Sequence, residues 1–343
     1  MDTILFLAHT EADGTLAKPA LEALGAAVDL KQSLGAALIV GLYGARAQPA
    51  ANSLANCGAD KFLAIQGEAF AQARYASDAA ACEALARASA ATIIIAAETS
   101  RSARLMAGVA HRLGGVVDTH ITSIAAASGA LQATRWFYRQ RIEGTLTRTA
   151  RPWALLLDPG NQPAWTGEPG SVTPEIIAVP SPESLSRTTV KGFVTPPADQ
   201  QTIRPDADLL FVAGAGWTKK QKDGQPHVAE AETIIVGFLK NSKASLGSSK
   251  SLVDLSGENQ AALRFLTHLN QVGQTGASPR HPKGLATCCH GEEPHTVGWR
   301  FIGERRAINL DAGCGWARGK ADVLYVADAF EVMTKVNALL SRK

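Results

Sequence analysis

The chain has 343 residues, 46% of them apolar and 19% charged, which is enough for two packed domains. A net charge of only +3, with no block of Lys or Arg, excludes nucleic acid as an expected partner. The five cysteines (Cys57, Cys82, Cys288, Cys289, Cys314) form no CxxC pair, no apolar run approaches a bilayer span, and residues 1–8 carry no basic leader, so a cytoplasmic α/β protein with reduced thiols is expected.

Residues 4–8 open the pattern as a short buried strand, and 17–34 reads as an amphipathic helix rich in Ala and Leu. The continuous apolar run 37–43 (ALIVGLY) predicts a second buried strand. Helices are expected at 47–56, 74–88 and 101–113, and strands at 61–65 and 92–97 (TIIIAA). Glu98-Thr99-Ser100-Arg101 supplies a helix-cap cluster, with a small anion site at that helix N-terminus as the alternative. Such βαβα alternation predicts a parallel sheet with helices on both faces. Beyond Gly114 the segments 116–125, 130–138, 144–148 and 153–157 carry Thr, Val and aromatic residues. They read as strands that extend the sheet, with antiparallel pairing open to them. No GxGxxG follows a strand in this half, and no pair of carboxylates stands out. The stretch from 158 to 205 is rich in Pro, Gly and Ser and reads as an interdomain connection, with short strands at 175–179 and 188–194.

The pattern restarts with a buried strand at 208–213 that ends in a Gly turn. Helices are expected at 228–239, 259–270 and 329–341, and strands at 284–289, 306–311 and 323–326. Gly, Ser or Asn at the carboxyl ends of these strands would line one crevice, where a dinucleotide is expected. The turns Gly273-Gln274-Thr275-Gly276 and His290-Gly291-Glu292-Glu293-Pro294-His295 suit close backbone approach to phosphate. The fold class that follows is α/β in two domains, each a parallel, doubly wound sheet with flanking helices. The domains would be 1–160 and 206–343, joined by 161–205, with the second of the dinucleotide-binding, Rossmann-like type.

In order and spacing these motifs resemble the α subunit of the electron transfer flavoproteins, over nearly the whole chain. The family's GASR-AAVD stretch has its counterpart in Gly247-Ser248-Ser249-Lys250 with Leu252-Val253-Asp254. Its VGQTG, AIN and VxD stretches match Val272-Gly273-Gln274-Thr275-Gly276, Ala307-Ile308-Asn309 and Val326-Ala327-Asp328, and His295 follows Thr275 at the family's spacing. Ala8-His9 with Gly14-Thr15-Leu16, and the segment 135–149, resemble the family's opening and its return strands. The resemblance implies FAD lying extended across the second domain. Thr275 would hydrogen-bond the flavin N5/O4 edge, with Gln274 and Gly276 shaping the turn. His295 would stand at the N1/O2 end, where negative charge collects on reduction. Ser248 and Ser249 would face the pyrophosphate, and Asn309 and Asp328 would hold the adenosine end. Gly247, Lys250, Gly273, His290 and Gly291 complete the implied cofactor-binding set, which contains no catalytic residue and no metal ligand. It further implies a heterodimer in which the first domain docks an electron transfer flavoprotein β subunit. Electrons would come from a flavin-dependent dehydrogenase and go to a membrane or iron–sulfur acceptor, so the chain would be a redox carrier rather than an enzyme with its own substrate.

The chain departs from that pattern in three places. Ala213-Gly214-Ala215-Gly216-Trp217 stands where the family reads SGGRG, so the arginine beside the flavin is absent. Lys219, Lys220 and Lys250 offer charge instead, but an ammonium does not reproduce a planar guanidinium. The turn 290–295 replaces SGAIQH, and its Glu292-Glu293 pair would oppose a pyrophosphate unless turned away. Extra residues also separate Asp254 from Gly273. The alternative functions are a degenerate subunit with a structural or altered nucleotide site, and a nicotinamide-binding dehydrogenase domain. Cys288-Cys289-His290, His295 and Cys314 have poor spacing for a metal, and the thiols read as packing at a buried strand end.

Overall fold

The computed structural model describes residues 2–127, 129–138, 142–179, 185, 187–192, 203–204, 207–254, 262–273, 278–287, 301–312 and 321–342. The chain forms two compact units: Met1–Tyr138 with Ile142–Phe193, and Val194–Lys343. Each has its own sheet, so the fold is the expected α/β class.

In the first unit four buried apolar runs form strands, each followed by a helix. The strands are β1 (Thr3–His9), β2 (Ala37–Gly44), β3 (Lys61–Gln66) and β4 (Ile93–Ala97). The helices are α1 (Lys18–Leu34), α2 (Gln48–Ser53), α3 (Tyr75–Ala88) and α4 (Ser100–Arg112). Side-chain alternation splits β1 between two cores. Ile4, Phe6 and Ala8 pack with α1 and α2, and Leu5 and Leu7 with α3 and α4, so both faces of the sheet are covered. Pro19 in the first turn and left-handed Gly35 after the last bound α1.

The sheet continues through β5 (Val116–Ala127), β6 (Ala130–Phe137), β7 (Ile142–Leu146), β8 (Trp153–Leu157) and the short β9 (Glu175–Ile176). Its order is β7-β6-β5-β8-β4-β1-β2-β3-β9. The β5–β6–β7 arm is antiparallel, but β8 inserts between β4 and β5 parallel to both. All five residues of β8 are buried, as an interior parallel strand requires. Asp118, 2% exposed, ties β5 to its neighbours. It accepts from Trp153 Nε1 and Arg148 Nη2, each at 2.9 Å, from Arg135 Nη1 at 3.2 Å and from Arg148 Nε. Burial would raise this carboxyl, but the bonds from Arg148 and Trp153 and the two guanidinium charges outweigh it and hold it below the usual carboxylate range.

The second unit contains β10 (Leu209–Ala213), α5 (Val228–Ser242), β11 (Ser245–Ser248), α6 (Lys250–Asp254), β12 (His281–Thr287), β13 (Ile302–Asn309), β14 (Val323–Val326) and α7 (Ala329–Leu340). Its five strands are all parallel, in the order β11-β10-β12-β13-β14. Phe211 and Ala213 pack with α5 and α7, and Leu210 and Val212 with Val272, Ala286 and Ala307 in the opposite core.

Some sequence expectations need correction. The helix expected at 47–56 is the six residues of α2. Over 188–192 the expected strand is absent. Residues 262–270 do not continue a helix; they end in a single 3-10 turn, His268–Asn270. There Thr267 and Asn270 cap each other's backbone, and such side-chain bonds compete with helix propagation. Part of the stretch read as a connection lies along the first unit, where Trp165 N–H donates to Leu21 O and Gly170 N–H to Asn52 O. Among the described residues no helix is long and apolar enough to cross a membrane.

Candidate functional site

In an open parallel sheet ligands bind beyond the carboxyl ends of the strands, where the strand order reverses. The first sheet reverses between β1 and β4, and the second between β10 and β12.

The first crevice is closed by the chain's own side chains. Its cavity is about 30 Å³, room for little more than one water, and is lined by His9, Tyr43, Ala97, Thr99, Ser102 and Met106 among others. Thr99 and Ser102 form a reciprocal capping box at the N-terminus of α4, so the Glu98–Arg101 cluster is a helix cap. Arg101 is engaged as well. It makes two 2.8 Å bonds to fully buried Asp78, donates to Phe70 O at 3.1 Å and lies 5.5 Å from the Tyr43 ring centroid. Burial, and then the Arg101 charge, lower the His9 pKa to about 4, so His9 is neutral at pH 7. Burial likewise pushes the Cys82 thiol up to about 12, and this cysteine is inert packing.

The second crevice gathers polar groups at two places. At the carboxyl end of β11, Ser248 is fully buried, its Oγ bonded to Ser249 O, and Ser249 N–H donates to Ala213 O. Ser249 Oγ accepts from Leu252 N–H at 3.3 Å and caps α6. Lys250 is exposed, 3.9 Å from Asp254. Val272 N–H donates to Ser248 O, which sets Gly273 beside this end, in the left-handed conformation (φ 82°) and with its N–H on Ser278 Oγ. Gly247 serves packing: a Cβ there would meet Val272 Cγ2 at 2.5 Å.

The other place is the carboxyl end of β13 and β14. Asn309 and Asp328 line one small cavity of about 20 Å³ with Gly216, Gln221, Leu310 and Ala327. Asp328 Oδ1 caps α7 through Phe330 N–H, while Oδ2 lies 3.5 Å from the exposed Lys222 ammonium. Oδ2, beside an exposed ammonium, retains lone-pair capacity for a further donor. Between the two places, Trp217 seals the carboxyl end of β12. It is fully buried, donates from Nε1 to Thr287 Oγ1 at 2.8 Å and packs on Phe330 at 4.6 Å.

The structure thus brings Gly247, Ser248, Ser249, Lys250 and Gly273 to one end of the crevice and Asn309 and Asp328 to the other. Gln274, Thr275, Gly276, His290, Gly291 and His295 lie outside the described residues, as do Cys288, Cys289 and Cys314. At the β13–β14 end Asn309 offers an amide and Asp328 an acceptor-only carboxylate. From β11 to β13 is three strand spacings, about 14 Å, a span for an extended ligand. Sequence reasoning missed the plug formed by Trp217 and Thr287. Its only signal was the bulky Trp217 where a glycine-rich turn was expected.

Fold and strand ends together define a doubly wound α/β protein in which each crevice keeps only a small cavity among the described residues, the second with Asn309 and Asp328 in its lining. Residues 4–184 match the model of the electron transfer flavoprotein domain, which covers more than half of the chain. The chain therefore belongs to the electron transfer flavoprotein family, whose proteins are flavoproteins, and its role is of that type. The match suggests partnering with a second electron transfer flavoprotein subunit or with dehydrogenases. A search among curated proteins returned no match to the chain.

Proposed function

We propose that this chain is the α subunit of a heterodimeric electron transfer flavoprotein and holds FAD across the carboxyl ends of the second sheet. The observation that carries this reading is the joining of two features in one chain. Residues 4–184 match the electron transfer flavoprotein domain, and a separate parallel sheet sets Ser248, Asn309 and Asp328 along one edge. When bound, the flavin supplies the redox chemistry by taking and giving electrons. The chain binds and orients it. Asn309 and Asp328 would hold the adenosine end, and Ser248, Ser249 and the backbone beside Gly273 the pyrophosphate. Thr275 would donate to the N5/O4 edge, with Gln274 and Gly276 shaping its turn. His295 would hold a proton near N1/O2, with His290 and Gly291 in the same turn and Lys250 contributing charge. A β subunit would complete the particle, a flavin-dependent dehydrogenase would deliver electrons, and a membrane or iron–sulfur acceptor would receive them in the cytoplasm.

The test is to co-purify the chain with its β subunit, release the bound chromophore and identify it chromatographically. FAD is expected. Asp328→Asn keeps the helix cap but weakens the hydroxyl acceptor, so it should lower flavin occupancy without unfolding the particle. A colourless wild-type particle would leave the crevice as a structural or altered nucleotide site.

A further inference from the structure

We infer that the first unit carries a binding site for one divalent transition-metal ion, of the zinc type, formed by Glu98 and Asp158 just beyond the carboxyl ends of β4 and β8 and by His120 in the adjacent bulge of β5. Among the described residues these three form the one set of His, Cys, Asp and Glu whose ligand atoms converge, all within 4.8 Å of one another.

The decisive feature is how the two carboxylates meet the imidazole. Glu98 Oε1 lies 3.3 Å and Asp158 Oδ1 3.4 Å from the same ring nitrogen, His120 Nδ1. A ring nitrogen carries at most one proton, so it can give one of these oxygens a good hydrogen bond and not both. Both separations also exceed the usual hydrogen-bond length. These two separations match the edge of a tetrahedron around a zinc-type ion, about 3.3 Å for bonds of about 2.0–2.1 Å, and the third, between the carboxylate oxygens, is within 4.8 Å. With the imidazole proton on Nε2, the Nδ1 lone pair and one oxygen from each carboxylate are available as ligands within 4.8 Å of one another. Two carboxylates and a neutral imidazole balance a divalent charge. Three protein ligands leave the fourth position to water, and His120, 56% exposed, keeps that side open to solvent.

The backbone holds this arrangement before any ion arrives. Glu98 N–H donates to Leu157 O at 2.7 Å and Asp158 N–H to Ile121 O at 2.8 Å, which holds the ends of β4 and β8 beside the bulge of β5. Glu98 Oε2 is taken by the His120 backbone N–H, which aims Oε1 at the imidazole. His120 sits in a bulge, where the pairing of β5 with β8 shifts between Asp118 and Ile121, and its φ is 56°. Arg135 is close enough to act on Glu98 and His120 and would weaken cation binding, but its Nη1 is engaged by Asp118 at 3.2 Å.

His227 is the internal contrast. It also has two carboxylate neighbours, but Asp223 meets Nε2 at 2.7 Å and Glu230 meets Nδ1 at 3.5 Å. Its carboxylates lie on opposite ring nitrogens and cannot share an ion with it.

The test uses the full chain, stripped with chelator and dialysed, then titrated calorimetrically with Zn²⁺ alone. One equivalent should bind, and Glu98→Gln or His120→Gln should weaken it at least tenfold, while His227→Gln leaves it unchanged. X-ray absorption of the zinc-loaded wild type should show one imidazole with oxygen ligands, a readout that holds even where a variant folds poorly. No binding by wild type, equal binding by both site variants, equal loss in His227→Gln, or sulfur in the zinc shell would each overturn the site.

Discussion

His9 should give the first unit a measurable dependence on pH. Its imidazole ends β1 inside the closed crevice, and burial, aided by Arg101, lowers its pKa from 6.5 to about 4. Half-exposed Glu11, 3.5 Å from Nε2, is screened by solvent and does not reverse this. Between those two values the unfolded chain binds a proton that the folded chain does not. Stability is therefore full above pH 6.5 and falls as the pH drops toward 4. At about 1.4 kcal/mol per pKa unit, the whole window is worth about 3 kcal/mol. His9→Gln, neutral throughout, lacks this term. Denaturant unfolding of wild type and variant, followed by circular dichroism from pH 7 to 4, reads the difference directly. The wild-type curve should fall by about 3 kcal/mol relative to the variant across that range. Parallel curves would refute the reasoning and would mean that His9 accepts a proton in the folded state.

Asp118→Ala should destabilise the first unit by about 3–5 kcal/mol, because it strands Arg135, Arg148 and Trp153 Nε1 around an empty position. Urea midpoints measure this, and Asp118→Asn should cost less. Since the Asp118 carboxyl is held below its usual range, its contribution is present above the unfolded pKa and is lost as the pH falls through the folded value, a loss absent in Asp118→Asn. In the second unit Thr287→Val keeps the shape but removes the acceptor of the Trp217 indole, at a cost of about 1–3 kcal/mol seen by tryptophan fluorescence during unfolding. Gly247→Ala should overpack β11 against Val272 and Leu210 by about 1–3 kcal/mol, read as a lowered unfolding midpoint with the fold retained.

Where one physical signal dominates, the fold was legible in the sequence. Runs such as 37–43 and 92–97 are too short for a buried helix and rich in Ile, Leu or Val, which favours interior strands, and α1 announced itself by periodicity, Pro19 and Gly35. Over 262–270 the expected helix is absent, and apolar spacing does not reveal the mutual caps of Thr267 and Asn270 that compete with it. The parallel insertion of β8 was hidden because pairing partners are a long-range property that a local pattern does not encode. For the candidate site, the family resemblance in motif order singled out Asn309 and Asp328, and both line one small cavity in the structure. The Glu98–His120–Asp158 cluster left no trace in the sequence. Its members come from three strands that are distant in the chain, and only the sheet register joins them.

The central claim is that this chain carries a flavin that exchanges electrons. Its most direct test is the visible spectrum of the particle, co-purified with the β subunit, during stepwise anaerobic reduction. The account predicts a flavin spectrum that changes in two one-electron stages and recovers when an electron acceptor is added. A colourless particle, or a flavin that takes both electrons in a single stage, would contradict it.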